Sequence, residues 1–548
     1  MKLALLARLA ALGPLLPLFS LGLAAQVPAA DPGAFYFPTT GVTVEKQALL
    51  LAIDDNLLPL TENVVLYMSQ PKVRKEPVLT PRRDDPKAPD QVATSFYGAV
   101  LQEGGHFRMW YYPLRLKAPG DAYHTDAANM LQGPVAYAES DDGLQWRRPS
   151  LGQVEIRGSK ENNAIALPDD SIEGVHVIKD ESDPDPSQRY KMVYNPHNGK
   201  TWVIRTATSA DGIHWTPAPT YGIDQFLETS SFYKFNGFYV ISGQRILPSE
   251  GGHAGGRQGK AIVSVDFKTW IPGNSDAFLL PEPADPKQRG PYGLYDQVHI
   301  GVGGASFGSV VVGLYGIWHN QAGDFSSAKR WAWFGYAKTS ADLGLLISND
   351  GLHFREPVRG RTFLSRFDSP ATPVPGQNYP TILCQSGNGI LNVGDETRIY
   401  HGRWLNAAYK MGQNVEIAVA TLPRDRWGAV GLYPKDPAGT EEARKIYQNH
   451  GSVWTAAVRL PARGCSVALN ADHTQKMTVE VADANFQLLP EYSGAKSGRT
   501  SVESGLDCAA WPTGRLAALG GKTVRFKINL RAQEGGQARL YAVTLKAE

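Results

Sequence analysis

Cysteine is nearly absent. Three thiols in 548 residues cannot form the disulfide framework of a small secreted scaffold, so a large apolar core must hold the chain together. Cys465 and Cys508 either pair in an oxidising compartment or remain as two free thiols, and Cys384, inside the apolar run Thr381-Ile382-Leu383-Cys384, reads as a small core residue. Excess charge of one sign is missing too. The formal net charge is +2, and removing Lys2 and Arg8 leaves 2 − 2 = 0, which excludes the basic footprint of a nucleic-acid binder. Past the first two dozen residues there is no apolar run long enough to span a bilayer, so no membrane partner is expected once that segment is gone. No set of His, Asp or Cys stands at a recognised ligand spacing, so neither a metal nor another cofactor is expected.

What is present begins with a leader. Lys2 and Arg8 flank an apolar run from Leu3 to Leu23 that closes on Ala24 and Ala25 and is broken by Gly13, Pro14 and Pro17. This is the pattern of a secretory signal peptide, residues 1–25, and places the mature chain in a periplasm or outside the cell. The remainder is rich in turn formers and rings, with 56 Gly, 38 Pro, 12 Trp and 23 Tyr against only 7 Met, and such a chain reads as all-β.

Internal repetition gives the architecture. Ser140-Asp141-Asp142-Gly143-Leu144-Gln145-Trp146 returns as Ser209-Ala210-Asp211-Gly212-Ile213-His214-Trp215, as Ser264-Val265-Asp266-Phe267-Lys268-Thr269-Trp270 and as Ser348-Asn349-Asp350-Gly351-Leu352-His353-Phe354, with a weaker fifth copy, Thr421 to Trp427. In the clearer copies Asp-Gly makes a tight reversal in which the carboxylate can accept backbone amides. An aromatic residue recurring at one place in every copy is scaffold rather than a sugar platform. Alternating strands precede each copy, about four per unit, as in a propeller blade. The expectation is a five-bladed β-propeller over residues 26–437. After the Pro- and Gly-punctuated stretch 434–439, alternating segments such as Met477 to Val481 and Val524 to Leu530 predict a C-terminal β-sandwich over 438–548.

In such a ring the first strand of each blade runs near the axis, and carboxylates at strand openings meet in one funnel. Glu228 opens the apolar strand before the Lys234-Phe235-Asn236-Gly237 turn, Asp296 precedes Gln297-Val298-His299, and Glu173 opens a hairpin in the second blade. Asp368, near Phe367 and Tyr379, is a further candidate. Tyr97, His176, Arg245, Trp318 and His319 are candidate sugar contacts, since rings stack on sugar faces and polar groups bind hydroxyls.

The Glu228 hairpin resembles the general-acid strand of five-bladed propeller glycoside hydrolases of families 43, 62 and 32. With Leu51 to Leu58, Ser95 to Leu101, Gln188 to Tyr194 and Leu519 to Phe526, nearly the whole mature chain resembles the bacterial secreted proteins classed as family 32-like. The resemblance implies a propeller and, by classification, glycosidase activity on a poly- or oligosaccharide. Two departures stand out. The Asn-Asp-Pro-Asn-Gly-type nucleophile segment is absent, and Ser95, Phe96 and Tyr97 stand where family 43 has its base. The expected roles are Glu228 as acid, Asp296 as base or nucleophile and Glu173 as their electrostatic neighbour. A glycan-binding or structural propeller without turnover is the alternative.

Overall fold

The computed structural model describes residues 41–117, 130–169, 171–221, 223, 227–247, 256–281, 296–319, 339–376, 378–405, 414–434, 449–502, 504–514, 516–532 and 537–548. The expected signal peptide, residues 1–25, and the expected domain boundary at 437/438 lie outside them. Among the described residues the regular secondary structure is almost entirely strand, with a few short 3-10 turns, in keeping with the all-β expectation.

Five antiparallel units follow one another. Their first strands are β1 (Ala93–Glu103), β2 (Ile172–Lys179), β3 (Glu228–Phe235), β4 (Gln297–Ser306) and β5 (Thr381–Val393). The second and third units are separate four-stranded sheets, while the fourth and fifth are joined into one sheet at a single parallel pairing, Ala341 with Ile382. The outermost strand of the fifth unit comes from far upstream: Lys72–Val73 pairs with Thr421 and Ala420. β1 packs on β2, β2 on β3, β3 on β4, β4 on β5, and β5 on β1.

Every first strand is interrupted at a similar height. The register shifts between Ser95 and Ala99, Glu173 and Val175, Thr229 and Ser231, His299 and Val302, and Gln385 and Ile390. A bulge bends a strand and raises its twist, which lets five of them crowd together. The crowding is extreme at Gly301, with φ +75°: a Cβ there would lie 2.0 Å from the Gly243 carbonyl oxygen. The centre is polar rather than greasy. Asn388 of β5 accepts from the Phe232 amide at 2.8 Å and donates to the Phe232 carbonyl at 2.7 Å, and Ser386 donates to the Gly98 carbonyl at 2.5 Å. Bulges free backbone groups from their ladders, and these small side chains satisfy them.

The repeated turns are built alike. Ser140 Oγ accepts from the Gly143 amide at 2.8 Å, and Asp142 Oδ1 accepts from the amides of Leu144 and Gln145 at 2.7 and 2.8 Å. Asp211, Asp266 and Asp350 do the same for the amides of residues two and three further on. The turns also join units. Tyr400 donates to the Gly143 carbonyl at 2.6 Å, Trp110 to that of Gly212 at 2.8 Å and Tyr233 to that of Gly351 at 2.7 Å. Trp146 and Trp215 donate their indole N–H to their own turn glycines, a scaffold role. The fifth copy differs: Trp427 is fully buried between Phe307 and Phe363.

Two further six-stranded sheets share one core, in which Val467, Leu469, Leu540 and Leu545 of one sheet meet Val479, Val481, Phe526 and Ile528 of the other. They draw on more of the chain than residues 438–548. Val42–Thr43, Gln47–Leu51, Leu60–Glu62 and Val64–Met68, expected with the blades, pair instead in these sheets, as does Gly428–Leu432. Gln47–Leu51 runs antiparallel to Arg539–Ala547. Alternation marks a strand but does not name its neighbour. Cys465 is buried and Cys508 exposed, and both are free, as is Cys384.

Candidate functional site

The late halves of the five first strands surround one cavity of ≈ 470 Å3, reached by Gln102 of β1, Ile178 of β2, Lys234 of β3, Ser306 of β4 and Asn388 of β5. Their openings therefore converge at the opposite end. There Glu228, half-buried, is the first residue of β3. Gln244 stands directly across from it, donates its amide to Glu228 Oε2, and through Oε1 accepts from the Ile300 amide of β4 at 2.5 Å. One glutamine thus ties the carboxylate to the neighbouring unit.

The pairing corrects a simple count. A hairpin turning at Asn236-Gly237 pairs Phe235 with Phe238 and, run back without interruption, would set Glu228 opposite Arg245. The bulge at Ser230 shifts the register by one, so Gln244 takes that place and Arg245 pairs with Gln258. A one-residue slip exchanges the faces of the strand. Arg245, expected at the sugar site, lies near Lys260, whose pKa is lowered first by burial and then by Arg245.

Glu173 stands just before the β2 bulge, opposite Asn195. Asn195 donates to the Leu227 carbonyl at 3.0 Å and accepts from the Thr229 amide at 3.1 Å, bracketing Glu228 on the adjacent strand. Glu173 and Glu228 are in this way brought to neighbouring strand openings. Near Glu228, around Ile300 and Cys384, lies a cluster of aromatic rings. Tyr97 lies 5.5 Å from Tyr112 and 5.5 Å from Trp404, and His299 lies 4.4 Å from Trp318. The Arg257 guanidinium stands 4.5 Å over the Trp318 ring. Tyr97 and Trp318 are only 1% and 4% exposed, so they are packed core rather than open platforms. Burial, with Arg257 nearby, holds the His299 pKa well below its usual value. Burial likewise pushes the Cys384 thiol up, with the Glu228 charge adding to it, so Cys384 is no nucleophile.

Asp296 belongs to a second cluster. His319 Nδ1 is 2.9 Å from Asp296 Oδ1, its Nε2 is 2.9 Å from Asp342 Oδ2, and Arg366 Nη1 reaches the same Asp342 oxygen at 2.5 Å. The two carboxylates raise the His319 pKa to about 9 against an opposing burial effect. His319, expected to face sugar, is instead clamped between acids. Asp368 is exposed and accepts from Gln70 at 3.3 Å, two residues from Arg366. His176 lies past the β2 bulge and is fully buried, 3.4 Å from Ser386 Oγ, with its pKa pressed down to about 4 by burial. It is sealed from the openings, because the bulge carries it inward.

No family model matches the chain. An uncharacterized protein of Mycobacterium tuberculosis strain H37Rv is 27% identical over 119 residues, 22% of this chain and 32% of its own length; one from strain CDC 1551 matches to the same extent. The chain therefore spans about a third of the length of these curated relatives. Among solved structures, a glycosyl hydrolase from Bacteroides ovatus has 16% identity and TM-score 0.38 over 65% of this chain and 94% of its own. A thermostable family-43 glycoside hydrolase has 14% identity and TM-score 0.35 over 62% and 90%. A structure described with the family 130 mannoside phosphorylases, and with hydrolases that target β-1,2 mannosidic linkages in Candida mannan, has 16% identity and TM-score 0.37 over 69% and 96%. Likeness at this level fixes neither fold nor activity for this chain.

Sequence reasoning missed Asn195, Gln244, Arg257, Asp342 and Trp404. Only Trp404 carried a signal, a ring at the end of the Glu396–Leu405 strand. The others act through register and cross-unit contacts that no local pattern encodes.

Proposed function

We propose that the five units form a five-bladed β-propeller and that the chain is an exported, carbohydrate-directed protein that hydrolyses a glycosidic bond where β1 to β5 open. The observation that carries this reading is Glu228: a half-buried carboxylate at a strand opening, held by Gln244, with Glu173 on the adjacent strand and Arg257 and aromatic rings nearby. Glycoside hydrolysis needs one carboxyl group to protonate the leaving oxygen and an ionised partner across the bond. Glu228 is the proton donor in this scheme, Asp296 the base or nucleophile, and Glu173 the carboxylate that tunes Glu228.

The test is turnover on a panel of plant, algal and microbial polysaccharides by reducing-sugar release. Glu228→Gln is expected to lower the rate at least about a hundredfold while leaving binding in place. Equal rates for wild type and variant would remove Glu228 from the chemistry. A lectin-like reading without turnover has one observation in its favour: the Asp296 carboxylate is already engaged by His319. Under that reading, wild type and Asp296→Asn both bind glycan and neither releases sugar. Export through residues 1–25 is part of the proposal, and N-terminal sequencing of the secreted protein checks it.

A further inference from the structure

The third copy of the repeated turn departs from its sisters. In the first two, the indole N–H of Trp146 or Trp215 goes to the turn glycine, at 3.1 and 3.0 Å. In the third, Phe267 stands in place of that glycine and holds φ +64°, a conformation that costs a bulky residue about 1 to 3 kcal/mol. Its ring is driven inward, 5.3 Å from Phe232 and 5.5 Å from Tyr239. Among the described residues, the Trp270 indole N–H has no hydrogen-bond partner, and its ring meets Phe267 edge-on at 6.2 Å. Trp270 lines a groove of ≈ 640 Å3 between the second and third units.

The facing wall belongs to the second unit. Tyr221 lies there with the Arg205 guanidinium 5.2 Å over its ring and its hydroxyl 3.3 Å from Asp169. Thr206, Thr208 and Asp185 also line the groove. Its one buried cation, Lys191, 2% exposed, is neutralised by Asp183 at 2.6 Å. A groove with two fixed rings, hydroxyls and three carboxylates, Asp183, Asp185 and Asp266, set against Lys191 and the exposed Lys268, suits a neutral polyhydroxylated chain better than a nucleic acid or an acidic peptide.

We propose that this lateral groove is a second carbohydrate-binding site, in which a pyranose face stacks on Trp270 and its hydroxyls bond to Thr208 and Asp185. Its ligand class rests on the carbohydrate reading above, but none of its residues belongs to the Glu228 opening. The groove holds a long polysaccharide on the flank of the ring while the opening takes a chain end or branch.

The experiment is native electrophoresis of the full chain through gels containing soluble β-mannan, arabinoxylan or pectic galactan, alongside turnover of short chromogenic glycosides. Wild type and Glu228→Gln are expected to be retarded equally by at least one polymer. Trp270→Ala is expected to weaken retardation about tenfold, as loss of one aromatic anchor does, with short-substrate turnover unchanged and Trp270→Phe retaining most binding. Thr208→Trp fills the groove without touching Trp270 and is expected to match Trp270→Ala, which guards against a folding defect. Retardation unaffected by both variants, or no retardation of wild type by any of the three polymers, overturns the proposal. If Trp270→Ala loses retardation in a protein that turns over nothing, the groove stands and the hydrolase reading falls.

Discussion

Replacing His319 with glutamine should remove a pH-dependent share of the stability. A neutral imidazole donates one hydrogen bond, and only the imidazolium donates to both Asp296 and Asp342, each 2.9 Å away. The His319 pKa is raised from 6.5 to about 9, hydrogen bonding to Asp296 being the largest cause, and the side chain is 24% exposed. Because the folded-state value lies above the unfolded one, the stabilisation is fully present below about pH 6.5 and is lost as pH rises through about 9. At about 1.4 kcal/mol per pH unit, the ceiling is about 3 kcal/mol. Arg366 keeps a hold on Asp342 and reduces the share lost with His319. Urea unfolding at pH 6 and pH 9.5 should therefore show His319→Gln weaker than wild type by about 2 to 3 kcal/mol at the lower pH and by less than about 1 kcal/mol at the higher. A deficit that stays constant or grows with pH would refute the clamp. The imidazole nitrogen shifts of labelled protein give an independent midpoint, expected near 9.

Asp142→Ala strips acceptors from the amides of Leu144 and Gln145 and from Ser140 Oγ, and should lower stability by about 1 to 3 kcal/mol, read as a drop in the unfolding midpoint. Gly301→Ala forces a Cβ to 2.0 Å from the Gly243 carbonyl oxygen and should cost more than about 4 kcal/mol, seen as loss of soluble protein. Gly308→Ala, with φ +88° but open space around it, should cost only about 1 kcal/mol. Thiol titration of the native protein should find Cys508 reactive and Cys384 and Cys465 protected until unfolding; a thiol count of one after denaturation would instead reveal a disulfide.

The repeats were legible because each turn is local: Ser, Asp and Gly within four residues satisfy one another's backbone groups, so the motif announces itself without its neighbours. The placement of Glu228 and Glu173 at strand openings was legible for the same reason, since a hairpin turn fixes where its strands begin. The partner of Glu228 was not, because an unmarked bulge at Ser230 exchanged Arg245 for Gln244. Nor were the destinations of Asp296 and His319, whose clamp on Asp342 depends on three strand ends meeting.

By itself, the sequence determined the all-β class, the repeated turns and the strand openings that carry carboxylates, all matters of period and short-range hydrogen bonding. Only the tertiary structure decided that Lys72–Val73 completes the fifth unit and that strands 42–68 join the C-terminal sheets. It alone turned His176 inward and bound His319 between acids. Strand pairing is a contest between edges distant in the chain, settled by which apolar faces and unpaired amides meet, and that outcome is not written in any one segment.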